Sequence, residues 1–163
     1  MAELLFISPQ ELVEGTIIGG NVDVDRYKSV VLETQLRVIE PLLGSLLYDK
    51  IIADLEANSI TGLYKTLFED YVKPITKNES CASFISISPY TLKNGGLYKN
   101  APRDVEVVNQ KEVESLASTY SSTAQQFVNR FNKWIKLNPL TEYQTHQDDV
   151  DAISINVNNG WRF

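Results

Sequence analysis

Histidine and cysteine, which do much of the catalytic and metal-binding work in proteins, occur once each in 163 residues, as His146 and Cys81. A lone cysteine excludes an intramolecular disulfide framework and fits a reducing compartment. No apolar run approaches the ~20 residues needed to span a bilayer, so no membrane partner is expected. The opening M-A-E-L-L-F-I-S-P has no basic n-region, so no secretion signal is expected either. Neither G-x-x-x-x-G-K-[ST] nor G-x-G-x-x-G is present, which removes the common phosphate cradles. Gly19-Gly20 and Gly95-Gly96 read instead as turns. Positive charge is also scarce. With 15 Lys and Arg against 21 Asp and Glu, the formal net charge is −6, which argues against a protein devoted to gripping nucleic acid.

What is present is an ordinary globular composition, 43% hydrophobic and 22% charged, in a chain long enough for one domain with a real core. The stretch from Asp23 to Glu56 organises it. Val24, Tyr27, Val31, Thr34, Val38 and Leu42 recur at three- and four-residue steps, the spacing of one helical face. Asp23 is the expected N-cap. Pro41 lacks an N–H and clashes with the preceding turn, so the helix is expected to end or kink near Ile39 or Glu40. Gly44 can close it in a left-handed conformation, and Ser45 can cap a second helix with a seam of Leu46, Leu47, Ile51 and Leu55.

Upstream, Ser8-Pro9-Gln10-Glu11 is a capping box with proline at the first helical position, and Gly15 ends that short helix. Downstream, Asn58 and Thr61-Gly62 mark a break. A further helix then uses Leu63, Leu67, Phe68 and Tyr71 and reaches Pro74, which can open another through Cys81, Phe84 and Ile85. Phe84–Ser88 also alternates, so periodicity there allows helix or strand. Residues 88–108 carry turn chemistry and read as an extended loop or hairpin.

Asn109 with Glu112 is a second capping signature. It begins the longest helix, which runs to about Leu137 before Asn138-Pro139 stops it. Val113, Leu116, Tyr120, Ala124, Phe127, Phe131 and Ile135 trace its apolar face. At 1.5 Å per residue it would be about 42 Å long, the whole diameter of a compact domain of this size. The expected fold is therefore mainly α: a bundle of four or five helices over residues 1–139, with a loop or hairpin insertion at about 88–108. Residues 140–163 form an acidic linker and a C-terminal β-tail, in which Ile153, Ile155 and Val157 alternate and Trp161-Arg162-Phe163 closes the chain.

The run I-E-P-L-L-G-S-L-L-Y-D-K-I, following N-V-D and the Gln35-bearing helix, resembles the head–tail connector proteins of tailed bacteriophages, including those of crAss-like phages. The likeness continues through D-Y-V-K-P-I at 70–75, the Asn94-Gly95-Gly96 turn and F-N-K-W-I-K-L-N-P, and covers roughly residues 8–139. It implies a structural adaptor, not an enzyme, needing no cofactor. Copies would form a ring, twelve-fold like the portal, joining portal to further neck or tail proteins in the virion while DNA passes through the lumen. A tail-completion or terminator ring is a neighbouring reading. A non-phage cytoplasmic helical interaction domain is a distinct one.

Chemical alternatives are weaker. His146 lies near Asp148, Asp149 and Asp151, which could bind a divalent ion, but the spacing lacks the glycine and glutamate of a Ca²⁺ loop and reads as an exposed acidic linker. Cys81 has no local signature of a nucleophile and reads as a small core residue. Glu69-Asp70 are adjacent on a helix, so they do not face each other. Residues Tyr90 to Arg103 hold Lys93, Lys99 and Arg103, with Tyr90 and Tyr98, and no acid. That loop is either a plain solvated connection or a contact for DNA phosphates or an acidic partner. The expected inter-subunit or portal-binding arm is the tail, with Ile153, Ile155, Val157, Trp161, Arg162 and Phe163.

Overall fold

The computed structural model describes residues 4–18, 24–87, 90–93, 96–99 and 109–143. They form a mainly α protein, with helices α1 (Pro9–Glu14), α2 (Val24–Thr34), α3 (Glu40–Leu43), α4 (Ser45–Glu56), α5 (Gly62–Leu67), α6 (Lys73–Ile87) and α7 (Gln110–Leu137). A two-stranded antiparallel ribbon, β1 (Tyr90–Lys93) and β2 (Gly96–Lys99), lies in the chain between α6 and α7. The expected C-terminal β-tail falls outside the described residues.

Local chemistry sets the helix ends. Ser8 accepts from the Glu11 N–H, and Asn109 from the Glu112 N–H; each glutamate carboxylate in turn accepts from the N–H of its cap residue. Asn58 takes φ 49° and Gly62 φ 57° at the α4–α5 break. Phe84–Ile87 is helical, which settles the helix-or-strand ambiguity.

Of the two outcomes expected near Ile39 or Glu40, an end or a kink, the end does not occur. A five-residue π-helical turn, Gln35–Ile39, joins α2 to α3, and helical backbone passes through Pro41 to Leu43. A second π turn, Phe68–Val72, joins α5 to α6 just before Pro74. In both places proline comes two residues after the π turn. Proline lacks an N–H and crowds the carbonyl four residues back, which here is Arg37 or Asp70, inside the π turn. A widened i→i+5 turn removes that conflict without breaking the helix: the Glu40 N–H bonds Gln35 O, and the Lys73 N–H bonds Phe68 O. Pro74 thus stands in the first turn of α6, as expected, on a continuous helical path.

Each π turn also moves the buried seam by one residue. Ahead of the first turn, Tyr27, Val31 and Thr34 are buried as the periodicity predicts, but beyond it Ile39 and Leu43 replace Val38 and Leu42. After Leu67, Phe68 and Val72 are buried while Tyr71 is only partly so. In α4, Leu47, Tyr48 and Ile51 face inward and Leu46 is exposed. The α3–α4 joint is Gly44 at φ 79°, ψ 151°: positive φ as expected, but with extended rather than helical ψ.

Helix α6 is central, packing along α7 and against α2. One core cluster gathers Phe6, Ile39, Leu43, Leu47, Ile51, Val72, Phe131 and Ile135; a second gathers Ile7, Leu12, Tyr27, Val31, Cys81 and Phe84. The long helix buries Ala117, Ala124, Phe131 and Ile135 and half-buries the rest of its expected face. Beyond the Asn138 cap, Leu140 is buried in the first cluster and the Tyr143 ring packs edge-on against Phe131, so residues 140–143 belong to the helical core.

Candidate interaction surface

The ribbon is where the basic insertion becomes structure. Its register sets Tyr90 opposite Lys99, Thr91 opposite Tyr98, Leu92 opposite Leu97 and Lys93 opposite Gly96. The register puts Lys93 at the turn end of the ribbon and Lys99 at its open end. Among the described residues the two strands pair only with each other, leaving both outer edges free of a strand partner. Arg103 lies outside the described residues. So do His146, Asp148, Asp149 and Asp151, and the tail positions Ile153, Ile155, Val157, Trp161, Arg162 and Phe163.

A second feature was not anticipated. The segment from Leu4 to Ile7 runs into the core as a strap, with Phe6 and Ile7 each 2% exposed. Gln35, on the first π turn and itself buried, clamps its backbone. The Phe6 N–H donates to Gln35 Oε1 at 2.8 Å, and Gln35 Nε2 donates to Leu4 O at 3.0 Å. The Phe6 ring packs against Tyr48 and edge-on against Phe68, with ring centroids 5.5 Å away in each case. Gln35 is thus the one long polar side chain in the buried row, and the sequence signal for it was a glutamine interrupting an apolar face.

Helix α1 extends the strap and is tied by charge. Lys73 Nζ lies 3.1 Å from Glu11 Oε1 and 3.2 Å from Glu69 Oε2, above the Phe68 ring. Burial alone would raise the Glu11 carboxyl, but hydrogen bonds from the Ser8 N–H and from Lys73 leave it below its ordinary value. Burial alone would lower Lys73, but the bonds to Glu11 and Glu69 outweigh it and hold the ammonium above its ordinary value. Glu69 therefore pairs with Lys73, not with Asp70. The Ile17 N–H donates to Tyr120 Oη at 3.0 Å, fastening the end of the strap to α7.

Cys81 is fully buried beside Thr16, Ile17 and Tyr120, and burial pushes its thiol up, away from the thiolate a nucleophile needs. Among the described residues, no three His, Cys, Asp or Glu side chains are grouped to hold a metal ion. The clefts are open. One, about 710 Å³, runs beside the strap along Leu4, Phe6, Leu55 and Phe68. Ionisable groups in the described core serve to join elements: Tyr64 Oη donates to Glu142 at 2.9 Å, and Ser121 Oγ to Glu79 at 2.9 Å.

No curated protein and no solved structure matches this chain. One family model does, over residues 39–150, from the end of the first π turn through the ribbon and the long helix. That stretch is more than half of the chain, and the protein belongs to the family of unknown function DUF6712.

Proposed function

We propose that this protein is a structural head–tail connector of a tailed phage, assembling as a ring between the portal and further neck or tail proteins, with DNA passing through the lumen. The observation that carries the reading is the β1–β2 ribbon inserted between the two longest helices. A two-stranded ribbon is marginal in water by itself. With both edges unpaired among the described residues, it is suited to adding strands from, or lying against, a neighbouring chain. Its stretch of sequence is basic in an acidic chain, which suits an acidic portal surface.

The test is docking to a portal protein at rising salt. Lys93→Ser, Lys99→Ser and Arg103→Ser together are expected to weaken docking and flatten its salt dependence, with the melt of the free protein unchanged. Docking that is indifferent both to salt and to the triple substitution would remove the ribbon from the interface.

A further inference from the structure

The outward face of α7 has a composition unlike the rest of the molecule. Acidic residues occur about once in eight along the chain, yet none occurs from Ser115 to Lys136. Opposite the buried Ala117, Ala124, Phe131 and Ile135, an exposed row runs at three- and four-residue steps through Ser115, Ser118, Ser122, Gln125 and Asn129 to Lys133 and Lys136. Arg130 borders it, its guanidinium 5.4 Å from the Phe127 ring centroid. The charges on this face are therefore all positive. The carboxylates bordering it keep their charge but are held by partners: Glu79 accepts from Ser121, Glu114 from Gln110, and Glu33 pairs with Arg37. Serine, threonine and asparagine are poor helix formers, and a solvated helix gains more from Glu–Lys pairs at i,i+4. This face has given up both in exchange for hydroxyls, amides and cations.

We propose that the Ser115–Lys136 face of α7 contacts the phosphate backbone of duplex DNA. Ser, Asn, Gln, Lys and Arg are the side chains that donate to phosphate oxygens. The face is about 33 Å long, close to one turn of duplex. A parallel second copy is a poorer occupant, because it would set like cations side by side; an antiparallel one, which would bring Lys133 and Lys136 towards Lys111, Glu112 and Glu114, is the case that the self-association arm of the test detects. The contact reads no sequence, because it offers donors to phosphate and no element shaped to enter a groove. The proposal rests on the connector reading for the presence of DNA and names the surface that meets it.

The test is fluorescence anisotropy of the full chain with a labelled duplex two helical turns long, from low to high salt. It compares the wild type with Arg130→Ser/Lys133→Ser/Lys136→Ser and with Lys93→Ser/Lys99→Ser/Arg103→Ser. The wild type is expected to bind at low salt. The α7 variant is expected to lose at least about tenfold in affinity and about one unit of log–log salt slope per cation removed, with its circular-dichroism melt retained. The proposal is overturned by a wild type that does not bind at low salt, by an α7 variant that binds equally, or by a loss confined to the 93/99/103 variant. It is also overturned if the α7 substitutions abolish self-association or binding to polyglutamate while DNA binding stands, since the face would then serve a protein. A normal ring on the portal with no α7 effect sinks this inference alone. DNA binding through α7 without any ring sinks the connector reading alone.

Discussion

Replacing Gln35 by methionine tests the clamp on the N-terminal strap. Methionine nearly conserves the volume and removes all the amide bonds: those to the Phe6 N–H and to Leu4 O, and the longer one, 3.5 Å, to Tyr48 Oη. The Phe6 N–H is deeply buried and would have no partner, whereas Leu4 is only partly buried and its carbonyl can find water. Stranding one buried donor costs about 1–3 kcal/mol, and the second bond adds up to about 1 kcal/mol, so a loss of about 2–3 kcal/mol is expected. For a chain of this length that lowers the melting midpoint by roughly 4–12 °C. Phe6→Ala should cost about 3–5 kcal/mol by emptying the space between Tyr48 and Phe68. Because both changes act through the same strap, the double variant is expected to lose less than the sum of the singles. Urea denaturation of all four proteins gives the coupling directly. A Gln35→Met loss below about 0.5 kcal/mol, or additivity within that margin, would refute the clamp.

Gly44→Val should destabilise by at least about 1 kcal/mol, because φ 79° with ψ 151° is a region open essentially to glycine; a thermal melt unchanged within error would contradict this. The Lys73 ion cluster predicts a pH dependence. Glu11 sits below its ordinary value when folded, so its contribution is present above that value and fades as pH falls through the folded one. Lys73 sits above its ordinary value, so its contribution is complete below that value and fades as pH rises through the folded one. The gap between wild type and Lys73→Met, at most about 1 kcal/mol for such part-exposed pairs, should therefore be widest near neutrality and narrow in acid. Equal gaps at all pH values, read from urea midpoints, would discount the cluster. Cys81 should react with a thiol reagent only as fast as the protein opens, and immediate labelling of the native protein would contradict its burial.

Features governed by local chemistry were legible in the sequence. Both capping boxes, the stop at Asn138, the breaks at Asn58 and Gly62 and the full span of α7 follow from residues within a turn of each other. A 3.6-residue period carried across the two π turns misplaces Val38, Leu42 and Tyr71 by one residue, whereas Phe68, Cys81, Phe84 and Ile85 are buried where expected. Each turn inserts one residue, and its only local mark is a proline two positions later. The strap was missed for another reason: Leu4–Ile7 has no periodicity, and its partners Gln35, Tyr48 and Phe68 lie 29 or more residues away from Phe6. At the candidate surface, sequence identified the basic stretch but not the register that separates Lys93 from Lys99. Nor did it align Arg130, Lys133 and Lys136 with the serine row that α7 holds outward.

Assembly into a ring is measured by multi-angle light scattering of the protein alone and mixed with a portal ring. The expected result is a complex whose added mass equals a closed set of copies matching the portal's symmetry, lost on substitution of Lys93, Lys99 and Arg103. A protein that stays at 18.4 kDa and adds no mass to any portal tested would contradict it.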